Sequence, residues 1–165
     1  LVVGSGSGET MFPAGIARKA KAFGAKVIYY SASGAPAQEG YEQVDFETLL
    51  TQSDIISVHA PLNEHTEGLI NSKAFEKMKS SCIFLNLGRG PIVDEQALYN
   101  ALVRNQIAAA GLDVLCEEPM SADNPLLKIK DSKRLLITPH IAWASVEART
   151  HLMEIIHGQV KDFFA

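Results

Sequence analysis

The chain has 165 residues, 47% of them hydrophobic, which is long enough and apolar enough for one domain with a full core. Charged residues make up 21% and the net charge is −4, so no basic run offers a surface for nucleic acid or an anionic membrane. No apolar stretch approaches a bilayer span, and the first residues do not have the form of a signal peptide. Cys82 and Cys116 share neither a CxxC spacing nor a cluster with histidine. They are expected to be buried, reduced thiols of a cytoplasmic protein, with no disulfide or metal role. Leu1 opens in mid-strand without an initiator Met, as a fragment of a longer chain would.

Apolar runs of strand length alternate with helical patterns along the chain. Residues 1–3 read as a buried strand entering a Gly-rich turn. Residues 13–23 carry a helical stripe (Ile16, Ala20, Phe23) that stops at Gly24. A second strand spans 26–30, rich in β-branched and aromatic residues. Residues 31–44 are polar and hold Gly34, Pro36 and Gly40, which predicts a loop. Asp45 caps a short helix with Phe46, Leu49 and Leu50, and a third strand covers 54–58. Ser72 caps a helix to about residue 79, followed by a strand at 82–86. Asp94 caps a helix with Ala97, Leu98, Ala101 and Leu102 on one face. Strands at 108–114 and 135–137 flank a Pro-containing loop. Ser145 caps a last helix whose apolar stripe is Leu152, Ile155, Ile156, Val160 and Phe163.

This order predicts an α/β fold, a doubly wound parallel sheet with crossover helices, as a single domain over residues 1–165. Ligands of such sheets bind beyond the carboxyl ends of the strands. The strand-end residues Gly4, Ser31, His59, Asn86, Asp113 and His140 should therefore ring one crevice.

Between the first strand and first helix a dinucleotide fold needs Gly-x-Gly-x-x-Gly, a tight turn that lets pyrophosphate approach a helix N-terminus. Here Gly4 and Gly6 supply the first pair, but Glu9 stands at the third position; starting from Gly6 and Gly8 puts Met11 there. The segment alone leaves open a flexible Gly/Ser loop and a phosphate cradle, and its place after a buried strand favours the cradle. At the end of the second strand, where a carboxylate would hold the adenosine ribose, stands Ser31. NADP is not repelled there, and no Arg or Lys follows to attract its extra phosphate, so both NAD and NADP stay open.

Three further segments carry chemistry: Asn86-Leu87-Gly88-Arg89-Gly90-Pro91, Gly111-Leu112-Asp113-Val114 leading to Glu118-Pro119, and Thr138-Pro139-His140-Ile141-Ala142-Trp143. With Val58-His59-Ala60-Pro61-Leu62 and Thr66-Glu67-Gly68-Leu69-Ile70-Asn71, they make the chain resemble the D-isomer-specific 2-hydroxyacid dehydrogenases from Ile16 to Phe164. The Gly turn is the exception, being longer than the family's usual loop.

The resemblance implies a Rossmann-like cofactor domain and the catalytic set Arg89, Glu118 and His140. It assigns Ser31, His59, Ala60, Pro61, Thr66, Leu87, Gly88, Asp113, Ala142 and Trp143 to the cofactor crevice, with Asp113 facing the nicotinamide carboxamide. Gly4, Gly6 and Gly8 are added to it from the place of the Gly turn after a buried strand, not from the resemblance. Trp143 either shapes the substrate pocket or packs against the fold. The chemistry needs these residue types. Arg89 can grip the carboxylate of a 2-oxo acid bidentately and polarise the neighbouring carbonyl. His140 can exchange a proton with that oxygen, and Glu118 can orient the imidazole. Glu117 is rejected because the family's acid directly precedes the proline.

Singly, each of the three is more often a solvated or structural residue; in family order at neighbouring strand ends they point to an oxidoreductase. A non-catalytic NAD(H)-sensing module is the alternative, and a scaffold without phosphate binding is a third. The family's second domain, built from flanking sequence, is absent from this chain. Homodimers through the cofactor domain and a small 2-hydroxy or 2-oxo acid as partner are also implied, with no metal, nucleic acid or membrane.

Overall fold

The structure is a computed structural model that describes residues 11–34 and 40–164, with side chains from residue 15 onward. The expected first strand and the glycines Gly4, Gly6 and Gly8 lie outside the described residues. In chain order the elements are α1 (Met11–Ala22), β1 (Ile28–Tyr29), β2 (Glu42–Gln43), α2 (Phe46–Gln52), β3 (Ile55–Val58), α3 (Ser72–Lys77), β4 (Ile83–Asn86), α4 (Glu95–Val103), β5 (Ala109–Leu112), β6 (Leu135–Ile137) and α5 (Val146–Phe163). Two 3₁₀ turns, Gly90–Ile92 and Pro125–Lys128, sit between them.

Among the described residues every strand pairing is parallel: β1 pairs with β2, and the other sheet runs β3-β4-β5-β6. Parallel strands joined through helices give the α/β, Rossmann-like class predicted from the sequence. The register aligns the strand ends: Val58 pairs with Asn86, Asn86 with Leu112, and Leu112 with Ile137. The four strands thus end in one row, and the chain leaves all of them at the same edge of the sheet.

The core lies on one face of the sheet, while Ile55, Ile83 and Leu136 on the other are exposed. Ile56, Val58, Phe84 and Leu112 meet Leu49 and Leu50 of α2, Phe75 of α3, and Leu98 and Leu102 of α4. Phe75 and Phe84 pack edge to face, centroids 5.5 Å apart at 80°. Side-chain caps close the helix starts: Asp45, Asp94 and Ser145 accept from Thr48, Ala97 and Ala148 respectively. At the end of α1, Gly24 adopts φ +84°, with Ala25 N–H donating to Ala20 O and Gly24 N–H to Lys21 O, a Schellman closure.

Several expectations change. The stretch 31–44 is not wholly loop, because Glu42–Gln43 forms the short strand β2 beside β1. The cap of α3 is Asn71, whose Oδ1 accepts from Lys73 and Ala74, rather than Ser72. α1 starts two residues earlier than expected and stops at Ala22, which leaves Phe23 92% exposed. Cys82 is buried, but Cys116 is exposed. The stripe of α5 is also uncovered: the helix has no buried residue.

Candidate active site

At the end of β4 the Asn86 side chain is buried and makes a clamp. Its Nδ2 donates to Arg89 O at 3.0 Å and its Oδ1 accepts Gly88 N–H at 3.1 Å. The turn is compact because Gly88 lies against the β3 end, where a Cβ would come within 2.9 Å of Ala60 O. Arg89 itself is exposed, with Nη1 donating to Gly88 O at 2.8 Å, so the guanidinium stands at the sheet edge.

The neighbouring strand β5 ends in Asp113, 3% exposed. Its carboxylate collects three donors from one loop: Thr138 Oγ1 at 2.6 Å, Ile141 N–H at 2.9 Å and Ala142 N–H at 2.8 Å. Burial alone would raise the Asp113 carboxyl, but these donors hold it below its ordinary value. The loop so gripped carries His140 in a left-handed conformation, φ +55°, uncommon for a non-glycine residue. Donors on either side of His140 thus fix a backbone that would otherwise relax.

His140 Nδ1 lies 2.8 Å from Glu118 Oε2, both side chains about two-fifths exposed. The other Glu118 oxygen accepts Leu115 N–H at 2.9 Å. That amide, and then the imidazole contact, hold the Glu118 carboxyl below its ordinary range. An ionised Glu118 only accepts, so Nδ1 carries the proton and Nε2 is the nitrogen turned elsewhere. The pair lines a cavity of about 510 Å³ with Asp113, Thr138, Met120 and Ile137.

On the far side of the crevice, Ser57 Oγ and His59 Nε2 are 2.8 Å apart, and burial pushes His59 down to about 4, a neutral ring at ordinary pH. Thr66 is fully buried, its hydroxyl donating to Pro61 O at 2.6 Å and accepting Asn63 N–H at 2.9 Å. It shapes the turn that carries Ala60 and Pro61. Leu87 is half-buried and its N–H donates to Val58 O. Ser31 is buried at the end of β1, 3.3 Å from Ser33 Oγ. Trp143 is 57% exposed, its indole N–H donating to His140 O, so it neither fills the core nor lines the Glu118 cavity.

Two residues at this edge, Glu95 and Asn124, carry no signal in the sequence that marks them as part of a site. Glu95 Oε1 accepts Cys116 N–H at 2.8 Å, and its Oε2 accepts Asn124 Nδ2 at 2.7 Å. Only the acid directly after the Asp94 cap hints at Glu95, and that position is ordinarily read as a favourable charge at a helix start. Among the described residues, no group of His, Cys, Asp and Glu could hold a metal ion, and no helix is long and apolar enough to cross a membrane.

Known proteins share this fold. The family model for the D-isomer specific 2-hydroxyacid dehydrogenase, NAD binding domain, matches residues 12–142. A hydroxypyruvate reductase of Blautia hydrogenotrophica is 45% identical over 146 residues, covering 87% of this chain and 44% of the relative. Among solved structures, an acyclic imino acid reductase in complex with NADPH and D-Arg superposes with TM-score 0.85 at 34% identity, covering 99% of this chain and 50% of that one. A D-lactate dehydrogenase from Aquifex aeolicus complexed with NAD and lactic acid gives 0.83 at 29% identity, covering 99% and 52%. The chain spans about half the length of the curated relatives it matches. The chain belongs to the D-isomer specific 2-hydroxyacid dehydrogenase family and carries that family's NAD-binding domain.

Proposed function

We propose that this chain is the cofactor half of an oxidoreductase that interconverts a small 2-hydroxy acid and the corresponding 2-oxo acid. The observation that carries this reading is the 2.8 Å contact between Glu118 and His140 at the wall of a cavity beyond the carboxyl ends of β5 and β6. The cofactor fits the same edge. Gly88 brings the β4 turn against Ala60 with no side chain between them, and four strands ending in register leave a continuous rim for a dinucleotide. Ser31 would face the adenosine end, while Ala60, Pro61, Leu87, Asp113 and Ala142 would flank the nicotinamide half. The pyrophosphate is assigned to the Gly4–Gly6–Gly8 turn on sequence grounds. NAD or NADP bound there supplies the hydride.

The chain's own residues do the rest. Arg89 pairs with the substrate carboxylate and draws electron density from the adjoining carbonyl. With Nδ1 donated to Glu118, His140 presents Nε2 to the carbonyl oxygen, giving a proton in reduction and taking one in oxidation. Glu118 holds the ring and balances its charge. The relatives' remaining length would furnish the opposite wall of the cleft, and the protein is proposed to work as a homodimer. Two free thiols suit a reducing, cytoplasmic setting.

The test is turnover of the intact protein with NADH and with NADPH on glyoxylate, hydroxypyruvate and pyruvate. Reduction of at least one is expected. Tight binding of the dinucleotide without turnover on any 2-oxo acid would replace this reading with a non-catalytic NAD(H)-responsive module.

A further inference from the structure

The segment 116–124 is tied at both ends by one carboxylate, and Glu118 stands inside it. Glu95, half-buried at the first position of α4, accepts Cys116 N–H on one oxygen and Asn124 Nδ2 on the other. Asn124 cannot turn its amide around. It is 8% exposed, and its Oδ1 already caps the 3₁₀ turn by accepting Leu126 N–H at 2.9 Å. Next to Cys116, Leu115 N–H holds the Glu118 carboxylate. Consecutive backbone amides are therefore taken by two acids, one that orients His140 and one that is anchored on α4. The same α4 start follows directly from the Arg89 turn. Cys116 Sγ lies 3.5 Å from Val93 O, and Gly90 abuts the backbone of Leu115 and Cys116.

We propose that Glu95, acting through Asn124 and the Cys116 amide, is a positioning residue that sets the Glu118–His140 pair in register with the Arg89 turn. An acid at a helix start also favours the helix dipole, an effect typically of about 0.3–1 kcal/mol. That role alone needs neither the Asn124 bond nor the Cys116 bond. The two roles separate cleanly because the Glu95–Asn124 contact pairs an acceptor with a donor and can be inverted. In Glu95→Gln the new amide can still accept Cys116 N–H, but its Nε2 then faces the Asn124 NH₂, and two donors repel. In Asn124→Asp two carboxylates face each other. In the double variant Glu95→Gln/Asn124→Asp, the Gln amide donates to the Asp carboxylate, while Cys116 N–H and Leu126 N–H keep their acceptors.

The proposal rests on the oxidoreductase reading for its catalytic meaning, so the experiment has two readouts on the intact protein. One is kcat for 2-oxo acid reduction, with KM and NADH affinity measured beside it. The other is the downfield proton resonance of the His140 Nδ1–H donated to Glu118, which needs no turnover. We expect each single variant to lower kcat on the order of 10-fold, with NADH affinity held, as misplacement of a reacting group does. The Nδ1–H resonance should weaken or move upfield in both. The double variant should recover both readouts to near wild type, whereas Asn124→Asp, which leaves the Glu95 charge at the start of α4, should lose them, a pattern that a helix-dipole role does not give. If the wild type reduces no 2-oxo acid but the resonance follows this pattern, the positioning role stands and the oxidoreductase reading falls. Should either single variant not fold, the double variant decides alone, supporting the proposal by a wild-type resonance. A Glu95→Gln protein that keeps the resonance, or a double variant that fails to regain it, overturns the proposal.

Discussion

Gly90 and Leu115 meet backbone to backbone: a Cβ built on Gly90 would overlap the Leu115 carbonyl and the Cys116 amide nitrogen. The obstacle is not conformational, since Gly90 does not have a positive φ. It is space between the Arg89 turn and the loop leading to Glu118. Gly90→Ala must push these loops apart, at a cost of about 1–3 kcal/mol as for overpacking elsewhere. Urea denaturation of the intact protein should show a lower midpoint, with turnover falling as Arg89 and His140 lose their register. An unchanged midpoint would mean that the two loops can part without cost.

His59 predicts how stability responds to acid. Its folded value is about 4 against an ordinary 6.5, because burial disfavours the charged ring. The unfolded chain therefore binds the proton first as pH falls from 6.5 towards 4, and each step down favours unfolding. Stability from this group is complete above pH 6.5 and declines through that window, by about 3 kcal/mol at its end. Denaturation curves collected between pH 7 and pH 4 should show the decline in wild type and a shallower one in His59→Gln. Parallel curves would remove His59 as the cause.

The core has a simpler test. Phe84 is completely buried and packs edge to face on Phe75, joining β4 to α3. Phe84→Ala should cost about 3–5 kcal/mol, the range for a large aromatic removed without collapse of the site. Phe84→Leu should cost clearly less, because much of the volume is kept. Equal losses in the two variants would argue that aromatic geometry, rather than volume, dominates there.

What the sequence disclosed follows physical lines. Strands such as Ile55–Val58 and Ile83–Asn86 were legible because they are apolar on both faces, and the Asp45, Asp94 and Ser145 caps because a local side chain meets its own helix. Asn71 and Ser72 are both good caps, and the choice is made only by the extended backbone at Asn71. The strand Glu42–Gln43 is two exposed polar residues whose partner lies across a loop, so no period announces it. In the site, Glu118 and His140 were found through family resemblance, and the structure places them in contact. The Glu95–Asn124 bond, spanning 29 positions, has no local signature at all.

The last helix shows the same limit and yields a prediction. Its periodicity marks one apolar face, yet Leu152, Ile156 and Val160 are 40–51% exposed in the chain alone. An apolar strip of this kind marks an interaction surface more often than a solvated one. The intact protein is expected to be a homodimer by light scattering at micromolar concentration, with this face less accessible than in the isolated chain. A monodisperse monomer would contradict the assembly, and the face would then have to be covered within one subunit.

The catalytic assignment makes three distinguishable demands on steady-state kinetics of the intact protein. His140→Ala should lower kcat for 2-oxo acid reduction by on the order of 10²–10⁴, typical of a lost general acid, with NADH affinity little changed. Arg89→Ala should raise KM and lower kcat together, because one contact both anchors the carboxylate and polarises the carbonyl. Glu118→Gln should fall between wild type and His140→Ala: the amide can still meet Leu115 N–H or the imidazole, but without charge. Acid tests the same pair from the other side. The Glu118 carboxyl is held below its ordinary value of 4.5 by the Leu115 amide and the His140 contact, so the folded pair binds its proton later than the unfolded chain does. Its contribution is present above pH 4.5 and is lost only as pH falls through the lower folded value. Denaturation curves taken below pH 4.5 should show wild type losing this contribution, while Glu118→Gln, with no carboxyl to titrate there, shows a shallower loss. A Glu118→Gln protein whose stability falls with acid as steeply as that of wild type would mean that the Leu115 amide and His140 do not hold the Glu118 carboxyl in this way.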